Sequence, residues 1–157
     1  MAAFGDTMTA STELMIGDEN GQHVVVRALS RRHPGLFDYW DGNWVACEVE
    51  IVTSGFRGTF PADLRSEEFR AFLEEVEGLS RTLDGAASFS TMERQIAFSL
   101  AGDRRGHVRV HGEACDAPGS DNRLHFSFHI DQTYLPQIHR SLQVILAAFP
   151  VVEAADA

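Results

Sequence analysis

The residues in this sequence that are best suited to chemistry are four histidines on one face of a predicted β-hairpin. Alternating apolar residues predict strands over 107–115 and 123–132, joined by a polar turn. The polar face of these strands, which we call the histidine face, carries His107, Arg109, His111, His125 and His129. A register centred on Pro118 gives the facing pairs Glu113–Arg123, His111–His125, Arg109–Ser127, His107–His129 and Arg105–Asp131. The two opposite-charge pairs favour this register.

A metal ion is one candidate ligand for the histidine face, because imidazole is a common ligand of transition metals. The predicted geometry is unfavourable, since opposed pairs separated by Arg109 and Ser127 do not converge on one tetrahedral centre. Arg109 would also place a positive charge beside the cation. We therefore expect no metal or cofactor and interpret the face as a solvated sheet surface or a binding surface. Binding of a small ligand or a metal at this face remains the alternative function.

Other groupings of reactive residues match no known catalytic pattern. Glu48 and Glu50 share one face of a predicted strand, which is more typical of a solvated acidic surface than of paired catalytic carboxylates. Cys47 and Cys115 lie far apart and form no CxxC pair, so they indicate neither a disulfide framework nor a zinc site. The sequence has no nucleophile elbow and no phosphate-binding loop. These observations favour a protein that is not an enzyme.

A long strand over 43–53 is predicted by its alternation of apolar and polar residues. Its apolar face consists of Val45, Cys47, Val49 and Ile51. Trp44 lies on the other face with Glu48 and Glu50, where an exposed tryptophan would suit an anchor for a protein partner. Alternatively, a helix or loop covers that face as well. Trp40, beside the turn at Asp41-Gly42, is expected to cover the end of the core.

Two amphipathic helices complete the predicted fold. One runs over 67–83 with Ser66 as its cap and Gly85 near its end, and the other runs over 135–148 with Pro136 in its first turn. No strand–helix–strand alternation repeats, so we predict an α+β fold: a curved antiparallel sheet of about seven strands with two helices on its apolar face. We expect a single domain over residues 12–152, flexible segments over 1–11 and 153–157, and no internal repeat.

The composition is that of a soluble domain with an acidic surface. The chain has 157 residues, 44% of them hydrophobic, and 13 basic against 23 acidic residues give a net charge of -10. This charge argues against nucleic-acid binding and suits a basic protein partner. No apolar run is long enough to span a membrane and no secretory leader pattern is present, so we expect a cytoplasmic location. Nothing in the sequence indicates the oligomeric state.

Several motifs, distinctive as a set, occur along the chain. They are Tyr39-Trp40-Asp41-Gly42-Asn43-Trp44, Gly55-Phe56-Arg57-Gly58, Leu64 with Glu68-Phe69 and Phe72, Met92-Glu93, and Ile130-Asp131-Gln132-Thr133-Tyr134-Leu135-Pro136. Together they resemble the WapI-like family of small bacterial proteins, and the resemblance spans roughly residues 12–152.

The resemblance implies an immunity function. Members of that family are regarded as antidotes that bind the toxic C-terminal domain of a large secreted or cell-wall-associated toxin. The namesake toxin is understood to be a nuclease acting on tRNA, and an acidic antidote suits a basic nuclease. No catalytic residue can be carried over from the motifs. The resemblance thus predicts a protein that binds and neutralises a cognate toxin domain, with Trp44, Glu48, Glu50 and the histidine face as candidate interface.

Overall fold

The structure, a computed structural model, describes residues 12–154. The predicted flexible segment 1–11 and the last three residues of the predicted C-terminal segment lie outside the described residues. Within residues 12–154 the chain forms eight strands in two antiparallel sheets, and a long helix follows each sheet.

The first sheet contains strands β1 (Glu13–Gly17), β2 (His23–Arg31), β3 (Trp44–Thr53) and β4 (Phe56–Arg65) in chain order. A short helix, α1 (Tyr39–Gly42), lies between β2 and β3, and helix α2 (Ser66–Thr82) directly follows β4. The second sheet contains β5 (Asp84–Phe89), β6 (Ile96–Asp103), β7 (His107–Cys115) and β8 (Arg123–Asp131). A 3-10 turn (Gln132–Tyr134) then leads into helix α3 (Leu135–Ala148).

The predicted α+β class is confirmed, but the arrangement of the strands differs from the prediction. Eight strands in two sheets replace one sheet of about seven, and α1 adds a short helix to the described part of the chain. Each half consists of four consecutive strands and a helix, although the sequence itself shows no repeat. Alternation identifies which residues face the core and not which strands pair, so it does not show where one sheet ends and the next begins.

Strand β3 shows how the sequence positions the outward-facing candidate residues. Its apolar set, Val45, Cys47, Val49 and Ile51, is buried, whereas Trp44, Glu48 and Glu50 are half-buried on the opposite face. This is the predicted alternation. Because successive side chains point to opposite faces, burying one set directs the other away from the core.

Helix α2 begins with a different cap from the one predicted. Ser66 is already helical, and Arg65 takes the extended cap conformation, where its N–H donates to the Glu68 carboxylate at 2.8 Å. The Ser66 hydroxyl instead accepts from Arg31 at 2.9 Å. The helix ends at Thr82, and its C-cap residue, Leu83, adopts a left-handed φ of 55° in place of the expected glycine. The cap prediction was therefore wrong by one residue, while the helix itself is confirmed.

One apolar core joins both sheets and both long helices. It includes Val49 from the first sheet, Val110 from the second, and Val76 and Leu142 from the helices. A group of four aromatic rings, with neighbouring centres 5.3–5.5 Å apart, packs α2 against the second sheet: Phe69, Phe72, Phe89 and Phe98. The described residues thus form a single domain. No helix within residues 12–154 has the length and apolar character needed to cross a membrane.

Candidate functional site

The pairing of β7 with β8 places the histidine face in a register that differs from the predicted one. The observed pairs are His107–Asp131, Arg109–His129, His111–Ser127, Glu113–His125 and Cys115–Arg123. The ladder is centred on Gly119, which adopts a left-handed φ of 78°. Its turn is closed by the Ser120 N–H, which donates to the Ala117 carbonyl at 3.0 Å. The register centred on Pro118 is therefore wrong, because each residue of β7 pairs with a residue of β8 two positions later than predicted.

One of the two charge pairs that suggested the predicted register, Glu113–Arg123, forms along the diagonal of the observed one. The Arg123 Nη1 atom lies 3.2 Å from the Glu113 Oε1 atom, although Arg123 is paired with Cys115. Arg109 Nε likewise donates to the Ser127 hydroxyl at 3.3 Å across a diagonal. Because an arginine side chain is long enough to reach a diagonal neighbour, such pairs do not distinguish registers two residues apart.

All five residues of the histidine face are exposed. The His107 Nδ1 atom lies 2.8 Å from the Asp103 carboxylate, and the His125 Nδ1 atom lies 3.6 Å from the Glu113 carboxylate. The backbone N–H of Arg105 and the His107 ring lower the pKa of Asp103 to about 2. Among residues 12–154, no three His, Cys, Asp or Glu side chains are grouped so that they could hold a metal ion. The face is an open polar surface on which two histidines contact carboxylates.

Glu48 and Glu50 belong to an ion-pair network around Arg27 on the outer face of the first sheet. The Arg27 Nε atom lies 3.2 Å from Glu13, and its Nη1 and Nη2 atoms lie 3.0 Å from Glu48 and Glu50. The second carboxylate oxygen of Glu50 lies 3.0 Å from His23 Nε2. Hydrogen bonds from His23 and Arg27 lower the pKa of Glu50. With more carboxylates than guanidinium groups, this surface is acidic and its side chains are held in place.

Trp44 forms part of a cluster that the sequence did not predict, in which three aromatic rings surround a buried arginine. We call the cluster of Tyr39, Trp40, Trp44 and Arg65 the arginine box. Arg65 is only 1% exposed. Its guanidinium carbon lies 4.9 Å from the centre of the Trp44 ring. The corresponding distances are 5.2 Å for Tyr39 and 5.5 Å for Trp40. Cation–π attraction is favourable at these distances, most of all away from water.

Hydrogen bonds satisfy the guanidinium group inside the arginine box. Arg65 Nη1 donates to the Trp40 carbonyl at 2.7 Å, and Nη2 donates to the Tyr39 carbonyl at 2.8 Å. Arg65 Nε donates to the Glu67 carboxylate, which also accepts from the Tyr39 hydroxyl. That hydroxyl contact raises the pKa of Tyr39. Burying a charge is costly unless it is paired and hydrogen-bonded, and these contacts meet both conditions. The box therefore ties α1 to the start of α2.

The two tryptophans are placed differently from each other. Trp44 is half-buried, and its ring lies against the guanidinium group of Arg65, which also donates to the backbone of α1. Trp40 is 63% exposed, so the prediction that it covers the end of the core was wrong. Its ring contacts Arg65 at one side and leaves the rest in solvent. Arg65 on β4 is the direct cross-strand partner of Trp44 on β3. This pairing could not be predicted from the sequence without the register of the two strands.

The segment that leads into α1 is held closely against the helix. Asp38 caps α1, because its carboxylate accepts from the Asp41 N–H at 3.1 Å. Gly42 packs so closely that a Cβ atom there would lie 3.0 Å from the Leu36 carbonyl oxygen. The backbone at Leu36 and Phe37 therefore packs closely against Gly42, where a side chain would crowd it.

Asn43 fixes the other end of α1 and the end of the described chain. It is fully buried, and its side-chain NH2 donates to the Tyr39 and Val152 carbonyls at 2.9 Å each. Its side-chain oxygen accepts from the Val152 N–H at 2.9 Å. The Asn43 side chain thus hydrogen-bonds both backbone groups of Val152, as a paired strand would. Helix α1 is therefore attached to the segment after α3 through Asn43, and to the start of α2 through Arg65.

A family model described as the immunity protein WapI-like family matches residues 15–150. The chain belongs to this family. The match includes both sheets, the arginine box and the histidine face, and it confirms the resemblance seen in the motifs.

Two solved structures align with most of this WapI-like chain. One is from a CdiA-CT/CdiI toxin and immunity complex of Enterobacter cloacae, with 11% identity and a TM-score of 0.40, covering 85% of this chain and 99% of that one. The other is from structures of MRP1/MRP2 of Trypanosoma bruciei, with 10% identity and a TM-score of 0.47, covering 94% and 91%. No curated protein matches the sequence.

In this WapI-like chain the candidate interface residues fall into two sets on different sheets. Trp44, Glu48 and Glu50 lie on one face of β3, and the histidine face lies on β7 and β8. The structure joins the β3 set to two features that the sequence did not predict, the Arg27 network and the arginine box. The residue that sequence reasoning missed is Arg65, which carries no local motif of its own.

Proposed function

We propose that this protein is a non-catalytic immunity protein that binds a cognate bacterial toxin domain and neutralises it. The observation that carries the proposal is the family match over residues 15–150, which includes nearly the whole described domain. In this proposal the protein acts in stoichiometric amounts, by covering the surface that the toxin needs, and it acts in the cytoplasm of the cell that produces the toxin.

The charge of the protein supports a basic partner, and we propose that this partner is a nuclease domain. A nuclease must bind a polyanion, so its substrate surface is basic. The immunity protein carries a net charge of -10, and the Arg27 network on its first sheet combines Glu13, Glu48 and Glu50 with a single arginine. An acidic, ordered surface competes for such a site and speeds the encounter.

The candidate interface set supports a specific test of where the toxin binds. Glu48 and Glu50 are fixed by Arg27, so they would meet the toxin with little loss of side-chain freedom. We expect Glu48→Gln with Glu50→Gln to weaken binding mainly at low ionic strength, because charge pairs at an interface act through the encounter rate. A second double variant, His111→Ala with His129→Ala, changes the histidine face, so the affinities of the two variants for the toxin compare the two sets.

The proposal is tested by a protection assay. The C-terminal segment of any large reading frame beside the gene is expressed in a bacterial host, with and without this protein, and survivors are counted. We expect killing that this protein alone relieves, together with a one-to-one complex on size exclusion. If the toxin kills equally in the presence of the folded protein and forms no complex with it, the proposal is wrong.

A further inference from the structure

Building on the proposed function, we propose that the toxin domain docks on an aromatic knob formed by Phe37 and Trp40, of which Trp40 is held in place by the arginine box. The partner surface that fits this knob is an apolar recess with a basic rim. The proposal adds residues outside the candidate interface set and makes Arg65 a positioning residue rather than a contact.

Large apolar side chains are exposed within the short segment 36–40. Phe37 is 81% exposed, Trp40 is 63% exposed and Leu36 is 48% exposed. Single exposed apolar residues are common on soluble proteins, but three within five positions call for an explanation. Aromatic side chains, tryptophan above all, carry much of the binding energy at protein interfaces.

Trp40 is held in place although it lies on a surface connection. Arg65 donates to the Tyr39 and Trp40 carbonyls and lies against the Trp40 ring, so it fixes both the backbone and the side chain of the anchor. Asp38 and Asn43 hold the two ends of α1. Burying a guanidinium group to stabilise four residues of helix is a large cost for a connection without a role. A preordered anchor loses less freedom when it binds, and therefore binds more tightly.

The charge around the knob indicates the kind of partner that it fits. The chain has no Lys or Arg between Arg32 and Arg57, and Asp38 and Asp41 flank the knob as exposed carboxylates. The strand that follows carries Glu48 and Glu50 on the face that Trp44 shares. Exposed carboxylates thus lie beside the knob, whereas the guanidinium group in contact with Trp40, that of Arg65, is buried and paired with Glu67, and Arg32 is paired with Asp63. A basic partner with an apolar recess is complementary to the knob, whereas an acidic partner would be repelled.

The test compares the affinity of single variants for the toxin domain by titration calorimetry. Phe37→Ala and Trp40→Ala remove the knob, and Phe56→Ala is the matched control, because Phe56 is 65% exposed but lies at the far end of β3 and β4. We expect Phe37→Ala and Trp40→Ala each to raise Kd by about 30-fold or more, and the control to change it by less than about twofold. Circular dichroism checks that each variant folds.

The outcomes separate this inference from the proposed function. If the wild-type protein binds the toxin and both knob variants bind within about threefold of it, the knob is not the docking surface and the immunity function stands. If the folded wild-type protein binds no toxin, both proposals fall. If size exclusion shows a wild-type dimer that Phe37→Ala dissociates, the knob joins two copies of this chain and the inference is overturned. Because Phe37 is outside the arginine box, its variant remains informative even if Trp40→Ala fails to fold.

A second measurement separates the apolar centre from its acidic rim. Stopped-flow kinetics of Asp41→Asn should show slower association whose difference from wild type disappears at high salt, because exposed interface charges act on the encounter. Phe37→Ala should leave the association rate nearly unchanged and speed dissociation. Equal effects of both variants on the association rate alone would contradict an apolar anchor.

Discussion

Replacing Arg65 with methionine removes the charge at the centre of the arginine box while keeping a side chain of similar length. The change deletes hydrogen bonds to the Tyr39 and Trp40 carbonyls and to the Glu67 carboxylate. It also removes the guanidinium group from the faces of three aromatic rings. Because Arg65 is 1% exposed, water does not replace these contacts unless the cluster opens.

The expected loss of stability follows from these contacts. Removing one partner of a buried ion pair costs about 3–5 kcal/mol, because the remaining charge and acceptors are left unpaired. Glu67 is partly exposed and regains some water, which places the expected loss near the lower limit, at about 3 kcal/mol. A domain of this size has roughly 5–15 kcal/mol of stability in total, so the variant should fold but be clearly weakened.

Urea denaturation followed by circular dichroism measures this loss. With a typical slope of about 2 kcal/mol per molar, the midpoint should fall by about 1.5 M. Arg109→Met is the matched control, because Arg109 is an exposed arginine that donates to Ser127 at 3.3 Å, and it should change stability by less than about 0.5 kcal/mol. A loss of under about 1 kcal/mol for Arg65→Met would refute the reasoning, since the box would then contribute little to the fold.

Two further predictions concern a buried carboxyl group and a tightly packed glycine. Burial raises the pKa of Glu68 from 4.5 to about 7, against the lowering effect of the Arg65 and Met92 N–H groups. The folded protein therefore binds more protons than the unfolded chain between these values, so stability should fall by roughly 2–3 kcal/mol from pH 4.5 to pH 7. Glu68→Gln should flatten this slope in urea denaturation, and an unchanged slope would contradict the assignment. A Cβ atom on Gly112 would meet the Ala97 carbonyl and lie 2.6 Å from Phe98 Cβ, whereas nothing lies within 4 Å of one on Gly58. Gly112→Ala should therefore lower the melting temperature, at a cost of about 1–3 kcal/mol, while Gly58→Ala leaves it nearly unchanged; equal effects would contradict the packing.

The elements that the sequence predicts well are those whose pattern is local. Helix α3 begins and ends where the spacing of its apolar residues, Pro136 and Pro150 placed it, and β7 has the predicted bounds. The alternation along β3 also predicts which of its residues are buried. In each of these elements, one periodic face is enough to determine the structure.

The features that the sequence did not predict depend on contacts between distant residues. Arg65 meets Tyr39 and Trp40 from about 25 positions away, so no motif marks the arginine box. The register of the β7–β8 hairpin depends on the conformation of the turn around Gly119, and the Glu113–Arg123 pair fits more than one register. The division into two sheets follows from strand pairing, which alternation leaves open.

The candidate site was predicted in part for the same reason. The faces of β3 and β7 follow from alternation, so the exposure of the histidine face was predictable. The ion pairs of Glu48 and Glu50 with Arg27 were not predictable, because they depend on the pairing of β2 with β3.

A titration of toxin activity with this protein tests the central claim most directly. A fixed amount of the cognate toxin domain is mixed with increasing amounts of the protein, and the remaining toxic activity is measured after binding reaches equilibrium. Neutralisation by occlusion predicts that activity falls in proportion to the added protein and reaches zero near one equivalent. Full activity at excess protein would contradict the immunity function, and complete loss at a small fraction of one equivalent would show turnover and contradict a non-catalytic mechanism.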